Sequence, residues 1–497
     1  MLKIKICLIS EPPQNQAQNS YFMKKRLPIL LITLFCSPLN GFGQELPGFN
    51  LSNNMSIYRA TFNPSAIVGT KYKAHVNVVT INATINGRYF KYFTSDALLH
   101  GIKSPYTSSE MYGKSKVIAS YTQGNINLAT ELRGPSFYYS ILPRLAVGFQ
   151  CRMRGFEQGF GFSEALRYAY FWRLDDDYYI KPSAGLGADF LLNQHSFFET
   201  GITMAGVLID TDAVRLKIGA SAKRLSGARS MFWKGRFDSY QIVAKANSNP
   251  TEFNVELSNL QYSYGYSQPT KENFEARDLF ANNYGMGWAF DAGLTLEIGR
   301  ARDPRPHRAN YALRLGAALT DAGMIQYATG GRAVKSVSSA KFIVDQTRLE
   351  ALINNAPKTL DTWSANAPKT TFGRETQLPR NLNIDADLQV LKTFFVNVSY
   401  TQSMQQTFSE TDIRQPQTFT ITPRFEDADA EFSMPVSWIA GNDAPSVGLA
   451  LRVGPAFIGF SNFSGMLGIH SPRGTMACLG VNVFHFQKKK EKQLTQK

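Results

Sequence analysis

Long runs in which apolar and polar residues alternate strictly constrain this chain more than any other feature. Between Leu145 and Arg154, Leu145, Val147, Phe149, Cys151 and Met153 oppose Gly148, Gln150, Arg152 and Arg154. Between Trp288 and Gly299, Trp288, Phe290, Ala292, Leu294, Leu296 and Ile298 oppose Asp291, Gly293, Thr295, Glu297 and Gly299. A period of two is the side-chain repeat of a β-strand. The same pattern runs through 77–88, 180–190, 214–223, 382–388, 394–400 and 447–453. A soluble sandwich also alternates, with its apolar face turned inward. Two properties favour a membrane barrel instead. The polar faces mix Gly, Ala, Ser and Thr with charge, as a crowded lumen requires. The runs are also long, near the ~9–11 residues of a tilted membrane span rather than the ~5–6 of a globular strand.

The connections support this reading. Leu142-Pro143-Arg144, Asp210-Thr211-Asp212, Val390-Leu391-Lys392 and Gly454-Pro455 are tight turns, whereas stretches near 94–116, 226–250, 266–284 and 321–379 read as long, polar and irregular. Short turns on one side and long loops on the other are the pattern of an outer-membrane barrel. The strand tally lies between about 14 and 18, and closure with both ends antiparallel requires an even number; about 14–16 is favoured. Residues 252–266 fit either a spanning strand or part of an extracellular hairpin. The expected fold is all-β: a single antiparallel transmembrane β-barrel occupying 71–487.

Charged residues make up only 18% of the chain, and no stretch of the mature chain is as long and apolar as the ~20 residues of a spanning helix. The net charge of +15 suggests nucleic acid first, but the basic residues are spread along strands rather than clustered, so no nucleic-acid partner is expected. Ahead of the strands, Met23-Lys24-Lys25-Arg26 is a positive n-region, Leu27–Phe35 an apolar h-region and Gly41-Phe42-Gly43 a small-x-small cleavage site. Residues 1–43 therefore read as a leader: 1–22 a start-site extension and 23–43 a signal peptide. Cys36 invites a lipoprotein reading, which the bulky Phe35 before it disfavours. Residues 44–70 precede the barrel, and 488–497 form a basic tail that strand parity puts in the periplasm. The last strand closes on Val483-Phe484-His485-Phe486, similar to the terminal signal read by the barrel assembly machinery, although the lysine-rich tail beyond it departs from the usual form.

Chemistry-bearing motifs are sparse. Cys7, Cys36, Cys151 and Cys478 have no CxxC spacing, so neither a disulfide framework nor a zinc site is indicated. The six histidines form no HExxH, and there is no GxSxG elbow. No enzyme, metal or cofactor is expected. Asp175-Asp176-Asp177 is a solvated turn before it is a calcium site. Tyr168, Tyr170, Phe171, Trp172, Tyr262, Tyr264 and Tyr266 are candidates for interfacial girdles. Alternation turns Arg152, Arg154, Arg167, Arg173, Lys181, Arg215, Lys217, Lys223, Arg314 and Arg452 inward, with Asp189, Glu199, Asp291, Glu297, Asp385 and Asp387. Such charges form either a cationic path for an anionic solute or an interior ion-pair network; the interleaved acids favour the network.

Thr61-Phe62-Asn63-Pro64-Ser65-Ala66 resembles the Asn-Pro-Ala element near the N-terminus of FadL-like fatty-acid transporter barrels and of PorV-like barrels associated with type IX secretion, with Ser65 inserted or in place of the alanine. Gly134-Pro135-Ser136-Phe137, Gly287–Gly293, Thr320–Ile325 and Val453-Gly454-Pro455 resemble a broad uncharacterised family of such barrels. The FadL resemblance implies that residues 44–70, with Asn63, Pro64, Ser65 and Ala66, form a plug. Its Pro and Gly content rules out a regular strand; a periplasmic tether is the alternative. The resemblance further implies transport of a small hydrophobic or amphipathic solute. A non-transporting scaffold for secretion, adhesion or envelope partners is the competing expectation, and outer-membrane lipid is the common surround of both.

Overall fold

The computed structural model describes residues 48–87, 124–163, 183–244, 253–267, 285–299, 311–327, 331–345, 355–373, 375–405, 409–440, 445–463 and 475–486, with isolated residues between them. Ahead of the sheet lie α1 (Ser56–Phe62) and a 3-10 turn (Pro64–Ile67). A 14-strand antiparallel barrel follows. Its strands are β1 (Tyr72–Gly87), β2 (Gly124–Arg133 and Ser136–Leu142), β3 (Leu145–Phe162), β4 (Asp189–Asp210), β5 (Val214–Arg236), β6 (Gly285–Ile298) and β7 (Leu313–Tyr327). They continue as β8 (Glu375–Gln377 and Asn381–Gln389), β9 (Phe394–Ser403), β10 (Thr418–Glu426), β11 (Ala430–Ser433 and Val436–Ile439), β12 (Ser446–Val447 and Leu449–Val453), β13 (Ala456–Phe460) and β14 (Thr475–Phe486). β1 pairs β14 from Tyr72↔Phe486 to Ile85↔Thr475, which closes the ring among the described residues. Pro135, Pro379 and Pro435 fall in the interruptions of β2, β8 and β11, where a missing N–H is tolerated.

The turns expected from sequence join β2 to β3, β4 to β5, β8 to β9 and β12 to β13, all at the end where β1 begins and β14 finishes. Asp427-Ala428-Asp429 is a further short turn at that end, between β10 and β11. Outward side chains form an apolar belt: Ile202 is 65% exposed and Phe290 56%, with Met204, Trp288, Leu294, Ile384 and Leu479 also exposed. The facing residues Gln150, Arg152, Asp291, Thr295 and Asp385 are buried. Apolar outside and polar inside is the arrangement of a barrel spanning lipid, and these are transmembrane strands. Among the described residues no helix is long and apolar enough to cross a membrane.

At the loop end the chain departs from expectation. Residues 226–236 and 239–244, and much of 321–379, read as irregular, are strand, whereas 268–284 lies outside the described residues. β4 and β5 run for 22 and 23 residues, far beyond the ~9–11 of one span. Past them stands an outer sheet in the order Ser183–Leu186, Ser239–Ala244, Phe253–Tyr266, Gly331–Asp345 and Lys369–Phe372. The tip of β5 pairs with Gln261–Tyr266, so 252–266 is an outer strand and not a barrel span. α2 (Ala356–Trp363) is capped by Asn355, whose side chain accepts from the Lys358 N–H at 3.2 Å. Its Trp363 meets Trp233 and Phe342 edge-on, over the buried Tyr262, Tyr264 and Leu360. These tyrosines belong to that core rather than to an interfacial girdle. Alternation failed here because both faces are covered: Met231, Phe232 and Trp233 are consecutive and all buried.

The run 180–190 is likewise not one strand. The chain bends at Gly187, where a Cβ would meet the Phe237 carbonyl oxygen at 1.6 Å. Asp189 is exposed at the start of β4 instead of facing the lumen. The leader, Arg167, Arg173, Lys181, Asp175–Asp177, residues 168–172 and the basic tail lie outside the described residues.

Candidate functional site

Asn63 and Pro64 organise the segment ahead of β1. Pro64 starts the 3-10 turn, where its fixed φ costs nothing. The Asn63 Oδ1 accepts from Ser65 N at 3.1 Å and Ser65 Oγ at 2.7 Å. Its Nδ2 donates to the Leu294 carbonyl at 2.8 Å, and Ser65 Oγ lies 2.7 Å from Thr295 Oγ1. Ala66 is buried beside them. The wall beneath is glycine for a steric reason. A Cβ on Gly219 would stand 2.5 Å from Pro64 C and Ser65 N, and one on Gly293 2.3 Å from Asn63 Oδ1. These two glycines are register partners on β5 and β6.

Further contacts hold the segment along its length. Ser52 Oγ donates to Glu431 at 2.7 Å, and the Asn53 N–H to Glu426 at 2.9 Å. Arg314 donates to Asn53 Oδ1 at 2.6 Å and to the Leu51 carbonyl at 2.9 Å. Asn383 donates to the Phe62 carbonyl at 3.0 Å, and Tyr58 Oη lies 2.6 Å from Asn77 Oδ1. Phe49, Met55, Tyr58, Ile67 and Val68 are buried in one cluster with Tyr138, Phe457 and Met476.

The inward charges pair across strands. Arg152 contacts Glu199 at 2.7 Å and Glu131 at 3.1 Å, while Arg154 contacts Asp321 at 2.9 Å. Lys223 bridges Asp291 at 2.6 Å and Asp321 at 2.7 Å. In a second group, Arg314 lies 3.2 Å from Asp387 and 3.6 Å from Asp385, and Arg424 contacts Asp387 and Glu426 at 2.6 Å each. Lys217 pairs with Glu297, and Arg215 with Asp210 at 3.0 Å. Arg452 stands 3.6 Å from Glu431 and donates to the Asp427 and Ala428 carbonyls, fastening the β10–β11 turn.

Glu131, Arg133, Asp321, Arg424, Glu426 and Glu431 complete these groups and were not singled out from sequence. Asp321 sits at φ 55° where β7 slips register against β6, so a bulge re-aims it and breaks the alternation that would have exposed it. Its signal was the Thr320-Asp321-Ala322-Gly323 motif.

At the loop end, residues 409–415 fold back between β9 and β10. Gln158 donates to the Arg414 carbonyl at 2.6 Å and accepts from its N–H at 2.9 Å. Ile413 is fully buried with Phe156, Phe197, Leu225, Ile325 and Tyr327. Its sequence signal is a lone apolar residue within a polar run. Beside it opens a cavity of about 490 Å³, with Phe160, Phe190, Leu191 and Tyr262 as apolar lining and Lys234, Arg236 and Arg414 among its polar residues.

Residues 64–461 match the model of a family described as a family of unknown function, DUF5723. The chain belongs to this family. No curated protein matches it. Solved structures similar to this DUF5723 barrel include the toluene transporter TbuX of Ralstonia pickettii, at 13% identity and TM-score 0.40 over 90% of this chain and 99% of that one. A FadL homologue of Pseudomonas aeruginosa is similar at 11% identity and TM-score 0.41, over 90% and 98% of the two chains. The toluene transporter TodX of Pseudomonas putida is similar at 10% identity and TM-score 0.33, over 89% and 97%.

Among its described residues the DUF5723 chain has no group of three His, Cys, Asp or Glu side chains placed to hold a metal, and Cys151 and Cys478 are free thiols. The site offers hydrogen bonding, paired charge and, at the loop end, an open cavity lined by aromatic and charged residues.

Proposed function

We propose that this chain is an outer-membrane channel of FadL-like design that admits a small hydrophobic or amphipathic solute from the loop end. In this reading residues 1–43 are removed on export, residues 44–70 plug the lumen through Asn63, Pro64, Ser65 and Ala66, and 488–497 remain in the periplasm. The observation that carries it is the 490 Å³ cavity with aromatic lining, a size that suits a drug-sized ligand. The clasp of Asn63 on the Leu294 carbonyl supports the plug. The lumen charges fit a balanced network that holds the plug better than a cationic path, since among the described residues Arg152, Arg154, Arg215, Lys217, Lys223, Arg314 and Arg452 each have a carboxylate neighbour. Uptake of hydrophobic solutes into proteoliposomes tests the reading. Uptake above protein-free vesicles, lowered by Phe160→Trp in the cavity, is expected; a folded barrel giving no uptake of any solute tried contradicts it.

A scaffold for secretion, adhesion or envelope partners, including a PorV-like role, is favoured by one feature, the folded outer sheet with its docked helix α2. Crosslinking in native membranes tests it, and recovery of the barrel alone sinks it.

A further inference from the structure

A second cavity, of about 40 Å³, lies between residues 48–51 and the wall of β9–β12. Its wall is a set of hydroxyls: Ser399 and Thr401 on β9, Thr418, Thr420 and Thr422 on β10, and Ser437 on β11. Ser446 and Ser461 extend it, Gln415 and the apolar Ile439 complete that wall, Gly48, Asn50 and Leu51 close the opposite side, and none of the residues lining it is charged. Thr420 and Ser437 lie 2.9 Å apart, oxygen to oxygen. The Thr422 hydroxyl is different: the residue is 1% exposed, lines the cavity, and its oxygen has no hydrogen-bond partner in the protein.

A wall of this kind selects chemically. Each hydroxyl both donates and accepts, and its proton rotates to suit a neighbour, so it matches water or another hydroxyl equally well. An ion entering here would give up hydration with no opposite charge to replace it. An apolar solute would leave the hydroxyls unpaired. The space corresponds to roughly three water molecules, which takes the diol end of a three-carbon polyol.

We infer that the β9–β12 wall is a binding site on the path of a small uncharged polyhydroxylic solute, separate from the loop-end cavity. The inference rests on the closed barrel and not on uptake of a hydrophobic solute. The full mature chain, reconstituted in proteoliposomes, is tested by stopped-flow light scattering with glycerol as the probe. Glycerol entry severalfold faster than in protein-free vesicles is expected, with no matching rise in potassium chloride entry. Thr420→Leu with Ser437→Leu, which fills the cavity, returns the rate to that of protein-free vesicles. Thr401→Val with Ser446→Ala, which removes hydroxyls without filling the cavity, lowers it. A heat-modifiable gel shift verifies that each variant is folded. Glycerol entry no faster than in protein-free vesicles overturns the inference, as does a rate that neither folded variant changes or salt entry as fast as glycerol. Hydrophobic uptake measured in the same vesicles separates the two readings: its loss with glycerol entry intact counts against the proposed function alone, and the reverse counts against this site alone.

Discussion

Strands β2–β7 and strands β9–β12 face one lumen with different chemistry. On the first wall Arg152, Arg154 and Lys223 are answered by Glu131, Glu199, Asp291 and Asp321 in a continuous chain of contacts. On the second, the mid-height positions are Ser399, Thr401, Thr420 and Ser437. Both walls obey the same period-two alternation. Buried charges tolerate only paired, fixed geometry, because a lost partner leaves an unsolvated charge. Hydroxyls can be satisfied by each other or by water, so that wall tolerates open space. One strand pattern thus builds a lock on one side and a lining on the other.

The comparison breaks most sharply at Arg152. Arg152→Ala removes the cation shared by Glu131 and Glu199, leaving Glu131 with Arg133 and Glu199 with Arg154, and is expected to cost about 1.5–3 kcal/mol, read from urea unfolding of the barrel in detergent. A change below experimental error would mean that water already reaches this wall. Gly293→Leu comes next. Its side chain would occupy the place of Asn63 and Pro64, with an overpacking cost of about 1–3 kcal/mol. Residues 44–70 are expected to become protease-sensitive while the barrel stays folded, whereas unchanged protection would separate the glycine from the segment.

The outer sheet supplies a control that touches neither wall. Tyr264, Tyr266 and Arg332 donate to Asp361 at 2.8, 2.7 and 2.9 Å. Burial alone would raise the Asp361 carboxyl, but these donors together with Lys369 hold it below its ordinary value of 3.8. Its stabilisation is therefore full above that value and is lost as pH falls through the lowered one. Amide exchange in α2 is expected to accelerate on strong acidification, and Asp361→Asn to reproduce part of this at neutral pH at a cost of about 1 kcal/mol. An exchange rate independent of pH would remove Asp361 from the docking. The smallest effect is at Thr422. Thr422→Val deletes a hydroxyl without a protein partner, so stability is expected to hold or rise slightly. A clear loss would show that the hydroxyl is satisfied by an ordered water.

Alternation made the barrel legible wherever one face meets lipid and the other the lumen, as at Leu145–Arg154 and Trp288–Gly299. It was blind where both faces are buried, as at Met231–Trp233, and the outer sheet was lost with it. Thr418–Glu426 alternates cleanly and carries Arg424 and Glu426 on its inward row; Pro423 within it reads against a strand, yet it points outward and leaves that row intact. Polar-face charges can be picked out by register, but their pairing depends on which strands become neighbours, which no local pattern contains. Asn63 and Pro64 stood out through a resemblance, while the role of Gly219 and Gly293 as the floor beneath them needed coordinates.

The central claim is that the Asn63–Ala66 element sits against β6 within the lumen. Ser65→Cys with Thr295→Cys tests it most directly, since the two native hydroxyl oxygens lie 2.7 Å apart. In membranes from cells making the full chain, mild oxidation is predicted to give a reducible intramolecular crosslink with neither thiol open to a membrane-impermeant maleimide. Absence of the crosslink, with the thiol introduced in place of Ser65 labelled while the barrel remains folded, would contradict the account.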